Sequence, residues 1–502
     1  MSQTELYDAV RALGQASCAF SDVDVSQPFF WRKHGEGVRL ALIGTHHELQ
    51  DLAATLAAQR SQSGSPHTLV QQVLGQYHTA YRELQATFLG ITEEQFKQEP
   101  AAGEWPLRVI LGHIMDAERA FFSLIISGLE QEQAGAERPF TFPDGAVERI
   151  NGSEDEFYDL IDNQPLANIL THYDQFHQRV LSELAHLTDG QILGPSPVWW
   201  EEEEYSRQYR LHRFEAHMRQ HHLQIEKVLP LLSRPTTEAH NLLRLVYRGL
   251  AAVENCLIGA PDLDAEPLVS LAQTISERTT DVQQIVANCR KLETAVNQND
   301  LSTVQQIIND HPALADALGQ NGLPLLMNAI YQRKTAVVEA IQSVITELDV
   351  FAAAALGHLE RLQTLAKAWP GYLNQFAKDG FTPLQLACYF NQEAAALWLI
   401  QQGADVNAIA KNQMKIAPIH ATATHGNLAI LRALLENGAE VNAAQEGGFT
   451  AVHQAAHLNN IPMAQLLLEF GADPHQPDAK GQTALQLAQA EGHAAVTAVL
   501  DA

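Results

Sequence analysis

The sequence predicts an all-α protein in two parts, a helical bundle followed by a solenoid of short helix pairs. Two observations carry this. Apolar residues recur at helical spacing over long stretches of the first half, as in Val109, Ile110, Ile114, Ala117, Phe121 and Phe122. In the second half a six-residue pattern returns four times: Thr382-Pro383-Leu384-Gln385-Leu386-Ala387, Ala417-Pro418-Ile419-His420-Ala421-Thr422, Thr450-Ala451-Val452-His453-Gln454-Ala455 and Thr483-Ala484-Leu485-Gln486-Leu487-Ala488. Their first residues lie 35, 33 and 33 positions apart. A fixed period of this length belongs to stacked arrays, because one helix pair cannot bury its own apolar face.

The composition bounds the partners. The chain has 502 residues, 46% hydrophobic and 18% charged, with a formal net charge of −27. Real cores are expected. So acidic a surface repels phosphate backbones, which argues against nucleic acid. No apolar stretch is long enough to span a bilayer, and no signal peptide opens the chain. The four cysteines, Cys18, Cys256, Cys289 and Cys388, form no C-x-x-C pair. Thiolate zinc sites and a disulfide framework are therefore not expected, and a reduced cytoplasmic setting fits.

Taken in order, residues 1–62 read as a helix-prone extension ending at the small, polar Ser61–Pro66 segment. Residues 67–233 hold four long amphipathic helices, near Thr68–Leu89, Pro106–Leu129, Glu156–Ala185 and Tyr205–Leu232. Four such faces close naturally into a bundle. Pro106 suits a first turn, where its missing N–H is harmless. Residues 234–286 form a helical connector, two helices joined at Gly259-Ala260-Pro261-Asp262. From 287 to 502 run about seven repeats, the first ones degenerate. Thr382, Thr450 and Thr483 are helix N-caps. Gly403, Gly438 and Gly471 end second helices in the left-handed conformation. His420 and His453 are structural residues that bond to neighbouring backbone.

These motifs resemble ankyrin repeats over residues 287–502, whose helix-opening signature is T-P-L-H-x-A. The resemblance implies protein binding through hairpin tips and the concave face, with the partner unnamed.

Three histidines offer a site for chemistry. His217 and His221 are four apart and share one face of the last bundle helix. His113, on the second helix, can supply a third imidazole, leaving a coordination position open as in catalytic sites. His222 lies about 100° round the helix and cannot join them. His172 with His177, and His46 with His47, are read as surface residues. Asp116, Glu118 and Glu215 are candidates to hold the imidazole N–H groups, Asp116 being nearest in register. The Trp199–Tyr205 segment has two readings: an aromatic roof over the site, or a loop leading into an acidic helix start.

The W-x7-H-x4-E run from Trp105 to Glu118, with H-x3-H-x2-Q-I from His217, resembles the DinB/YfiT-like superfamily of four-helix bundles over residues 67–233. Residues 1–62, with Trp31-Arg32 and Glu36-Gly37-Val38-Arg39, resemble an N-terminal extension of some members. The resemblance implies that His113, His217 and His221 bind a divalent ion, zinc or nickel. It also implies thiol S-transfer with a low-molecular-weight thiol, or hydrolysis, and it brings homodimers into view. The alternative is a non-catalytic metal-binding scaffold acting through its repeats.

Overall fold

The computed structural model describes residues 2–200, 203–260, 263 and 265–502. It is 66% helical. Among the described residues only isolated β-bridges accompany the helices. Contacts divide the chain into two compact units, residues 1–287 and 288–502.

In the first unit, α1 spans Ser2–Ser17, α2 Arg39–Gln62, α3 Leu69–Phe88, α4 Leu107–Gln133, α5 Glu154–Asn163, α6 Leu166–Leu184, α7 Arg207–Val228 and α8 Glu238–Leu257, while α9, Glu266–Gln298, starts in the first unit and ends in the second. Four of these, α3, α4, α6 and α7, make the bundle. Its core joins Leu74, Tyr77 and Leu84 to Ile110, Ile114, Ile125, Ile169, Tyr173, Leu211, Phe214 and Ile225. Thr68 starts α3 with a capping box: its hydroxyl accepts from Gln71 N, and the Gln71 side chain accepts from Thr68 N.

Two helix readings are corrected. The stretch expected as one helix over Glu156–Ala185 is two, α5 and α6, parted at Gln164 and Pro165. Proline has no N–H to donate and its ring crowds the preceding turn, so the helix stops there. Pro106 sits one place before α4, at the N-cap with extended ψ of 150°, not inside the first turn.

The segments flanking the bundle in sequence share a core of their own. Leu6, Val10 and Leu13 of α1, Leu42, Leu49 and Leu56 of α2, Leu243, Val246 and Leu250 of α8, and Leu268 and Ile275 of α9 pack together, with Ala86 of α3. Arg60, at the end of α2, donates to the carbonyls of Cys256 (2.9 Å) and Ile258 (2.7 Å) and so caps the end of α8. A buried polar network ties α8 to the bundle. Glu254 accepts from Arg82 Nε and Nη2 at 2.7 Å each and meets His78 Nε2 at 2.7 Å, while His78 Nδ1 lies 2.9 Å from His177 Nε2.

The second unit is a series of short antiparallel helix pairs, such as Pro383–Tyr389 with Glu393–Gln401 and Pro418–Ala423 with Leu428–Glu436. Thr382 and Thr483 accept the N–H groups of Gln385 and Gln486, the expected N-cap bonds. Thr450 differs: its hydroxyl meets His453 Nδ1 at 2.8 Å instead of capping the backbone. His420 accepts from Ala417 N through Nδ1 (2.9 Å) and donates from Nε2 to Ala443 O (2.8 Å), so it ties a helix start to the next hairpin. Gln385 fills the same role with its amide, which donates to Ala408 O and Ile416 O. Gly403, Gly438 and Gly471 have φ of +82°, +88° and +86°, as the helix ends require. Val-Asn pairs follow two of these glycines, Val406-Asn407 and Val441-Asn442. Asn407 donates to Gly438 O and accepts from Glu440 N, and Asn442 does the same with Gly471 O and Asp473 N, one rung per repeat.

Candidate metal centre

Helices α4 and α7 are apolar on one face and pack against each other through it, which brings His113 beside His217 and His221. Their side-chain nitrogens gather within 4.8 Å of one another, a set that can hold a metal ion. His217 Nε2 lies 3.3 Å from His113 Nε2 and 3.2 Å from His221 Nε2. Zinc–imidazole bonds of 2.0–2.1 Å in tetrahedral array give N···N edges of about 3.3 Å. The spacing therefore matches two edges of such a site.

The chemistry of the donors points the same way. An imidazole nitrogen in the ring plane offers one N–H or one lone pair, never both. His217 Nε2 has two imidazole neighbours and can satisfy only one of them by hydrogen bonding. A cation shared by three lone pairs removes the conflict. His221 is already set in the ligating tautomer: its Nδ1–H donates to Gln224 Oε1 at 2.9 Å, leaving the Nε2 lone pair facing inward. His217 Nδ1 is buried with no hydrogen-bond partner among the described residues. Burial, then the charges of His221, His113 and Arg213, push the His217 pKa down to about 4, so the ring is neutral at pH 7. Burial and then His221 also lower His113, against a smaller opposing effect of Asp116.

His217 and His221 are buried, whereas His113 is exposed. The centre thus opens on the His113 side. Trp105, just before α4, flanks that opening. Its ring stands edge-on to His113 with centroids 5.4 Å apart and lies parallel to His221 at 6.3 Å. Phe121 meets His217 edge-on at 5.9 Å. On the same face of α7, one turn before His217, Arg213 lies over the Phe121 ring at 5.7 Å.

The three candidates for holding imidazole N–H groups are elsewhere. Glu118 is fully buried and accepts from Tyr77 and Tyr173 hydroxyls, each at 2.8 Å. Five residues from His113 is about 140° round the helix, so its carboxylate faces the core. Burial lifts its pKa to about 8 in spite of the two tyrosines. Glu215 pairs with Arg219 at 2.5 Å. Asp116 stays near enough to act on His113 electrostatically, and Arg119 and Glu154 act on it more strongly than His113 does. The imidazole-holding residue that the sequence reading passed over is Gln224, three residues after His221 and thus on the same face.

Other histidines fall as follows. His222 turns away and meets Thr87 Oγ1 at 2.8 Å. His177, read as a surface residue, is instead fully buried and stacked on Tyr81 at 3.7 Å. Trp199 and Trp200 do not roof the centre. Trp199 packs on Phe142, and the Pro195–Pro197 loop lies against Gly128. Gly128 is 15 residues from His113 along α4, about 22 Å at 1.5 Å per residue. Glu201 and Glu202 of this segment, and Pro261 and Asp262 of the connector, lie outside the described residues.

Comparison with known proteins agrees with this architecture. A model of the DinB superfamily matches residues 76–225, and a model of ankyrin repeats in three copies matches residues 292–410 and 419–502. Among curated proteins, ankyrin repeat and SAM domain-containing protein 6 of Rattus norvegicus is 33% identical over 103 residues, 20% of this chain and 12% of that protein. The Mus musculus protein of the same name is 31% identical over 103 residues, with the same coverage. The chain therefore matches about an eighth of the length of either relative.

Proposed function

The chain joins a DinB-superfamily domain to ankyrin repeats, and from that premise we propose that it is a divalent-metal-dependent enzyme acting by thiol S-transfer or hydrolysis, tethered to a protein partner by its repeats. The carrying observation is the convergence of the His113, His217 and His221 Nε2 atoms at tetrahedral-edge spacing. Three neutral imidazoles leave a coordination position open, which is the donor set of a catalytic zinc or nickel site. When bound, such an ion supplies Lewis acidity that lowers the pKa of a thiol or water toward neutrality.

The protein's own groups have separable tasks. Gln224 fixes the His221 tautomer, and the burial of His217 keeps that ring free of a proton. Trp105 covers the flank of the site with apolar surface and leaves the His113 side open to a small substrate. The repeats carry the protein-interaction function of their family.

Elemental analysis of full-length protein purified without added metal tests the reading. A single equivalent of zinc or nickel, lost in both His113→Ala and His217→Ala, is the expected result, together with loss of thiol-dependent turnover. Protein without a transition ion, and unable to bind one on titration, overturns it. Metal bound without turnover over a panel of thiols and electrophiles leaves a scaffold in place of the enzyme.

A further inference from the structure

The first unit contains a cavity of about 570 Å³, formed by α1, the end of α3, α6 and α8. This volume lies in the range of small-molecule sites, roughly 300–1,000 Å³. None of the three clustered histidines lines it. Its apolar surface includes Phe88 and Leu170.

Its polar groups are of both signs. Arg11 of α1 lines the cavity and makes no hydrogen bond or ion pair among the described residues. Asp174 of α6 lines it as well. The contacts of Asp174 with Tyr81, Gln85 and Arg82 all go to Oδ1, so Oδ2 is left without one among the described residues. No ion pair joins Arg11 to Asp174, although both act electrostatically on Tyr7, which also faces the cavity. Tyr247 of α8 is only 2% exposed, yet its hydroxyl makes no hydrogen bond among the described residues.

We infer that this cavity is a second binding site, for a small zwitterion with an apolar body, of amino-acid or dipeptide size. The ligand's carboxylate pairs with Arg11 and its ammonium group with Asp174 Oδ2. Its apolar part lies on Phe88 and Leu170, and the Tyr247 hydroxyl bonds to its polar end. A recess that presents a guanidinium, a carboxylate oxygen without a hydrogen bond, an apolar wall and a hydroxyl fits a ligand that carries both signs. The inference stands apart from the metal centre, since the two share no residue.

Calorimetric titration of the full chain with L-phenylalanine and with leucyl-phenylalanine tests it, beside the N-acetylated and C-amidated forms of each. Binding of either free zwitterion, with the blocked forms weaker by roughly tenfold or more, is the expected result, as loss of a charge-assisted contact requires. Arg11→Gln and Asp174→Asn should weaken binding by a similar factor. Tyr247→Phe removes only the hydroxyl; it should weaken binding while leaving the melting temperature of the unliganded protein unchanged or raised. No heat from either zwitterion, blocked forms that bind as well as free ones, or unchanged affinity in Arg11→Gln and Asp174→Asn would each overturn the proposal.

Discussion

The two units treat buried polarity in opposite ways. In the repeats, the buried polar side chains among the described residues are Asn328, Thr382, Gln385, His420, Thr422, Thr450 and His453, with no carboxylate, lysine or arginine. Most of them bond to backbone within or between repeats. The first unit instead buries Arg60, Arg82, Glu118, Arg207, Arg210 and Glu254, beside the clustered histidines. A stacked array needs each interface to resemble the next, and neutral caps repeat easily. Charges buried at particular points of a bundle do not repeat, and each must find an individual partner.

The sharpest way to break this contrast is at the candidate metal centre. His217→Ala should remove metal binding outright, while a repeat histidine changed likewise, His453→Ala, should leave metal content untouched; elemental analysis distinguishes them. Next in size is the buried ion network. Glu254→Ala leaves Arg82 and His78 facing an empty site, and about 3–5 kcal/mol of stability should be lost in denaturant unfolding. Third come the repeats. Gln385→Leu strands the carbonyls of Ala408 and Ile416 and should lower stability by about 1–3 kcal/mol. The matching change in the last repeat, Gln486→Leu, removes only a capping contact, so about 0.5–1 kcal/mol is expected.

A pH slope tests the buried charge of the first unit in another way. Glu118 has its pKa raised from 4.5 to about 8, so the folded chain keeps a proton that the unfolded chain releases. This contribution is complete below pH 4.5 and is lost as pH rises toward 8, at about 1.4 kcal/mol per pH unit at most. His217, lowered to about 4, works in reverse: its contribution is present above pH 6.5 and fades as pH falls to 4. Below pH 6.5 the two slopes oppose each other, so melting curves of Glu118→Gln should lack the fall between pH 6.5 and 8 that the parent protein has. A parent whose stability is level across that window would contradict the assignment.

Much of this was legible in the sequence, for identifiable reasons. The repeat signature and the i, i+4 spacing of His217 and His221 are local, so no fold is needed to see them. The apolar period runs unbroken from Phe157 and Ile161 through Leu166, Ile169 and Tyr173, which hid the break that Pro165 makes between α5 and α6. His177 could have been placed inside, since it falls on the stripe of Ile169, Tyr173 and Val180. Glu118 shares a helix with His113 but not a face, and counting 100° per residue separates them. The Glu254–His78 contact, by contrast, joins residues 176 positions apart and leaves no local trace.

That α2 rests on α8 has a bearing on how the chain is made. Arg60 reaches the carbonyls of Cys256 and Ile258, so the first two helices lack their main support until nearly two hundred further residues have left the ribosome. At translation speeds of about 5–20 residues per second, that leaves an apolar surface uncovered for about 10–40 s, a window in which a chaperone has the opportunity to act.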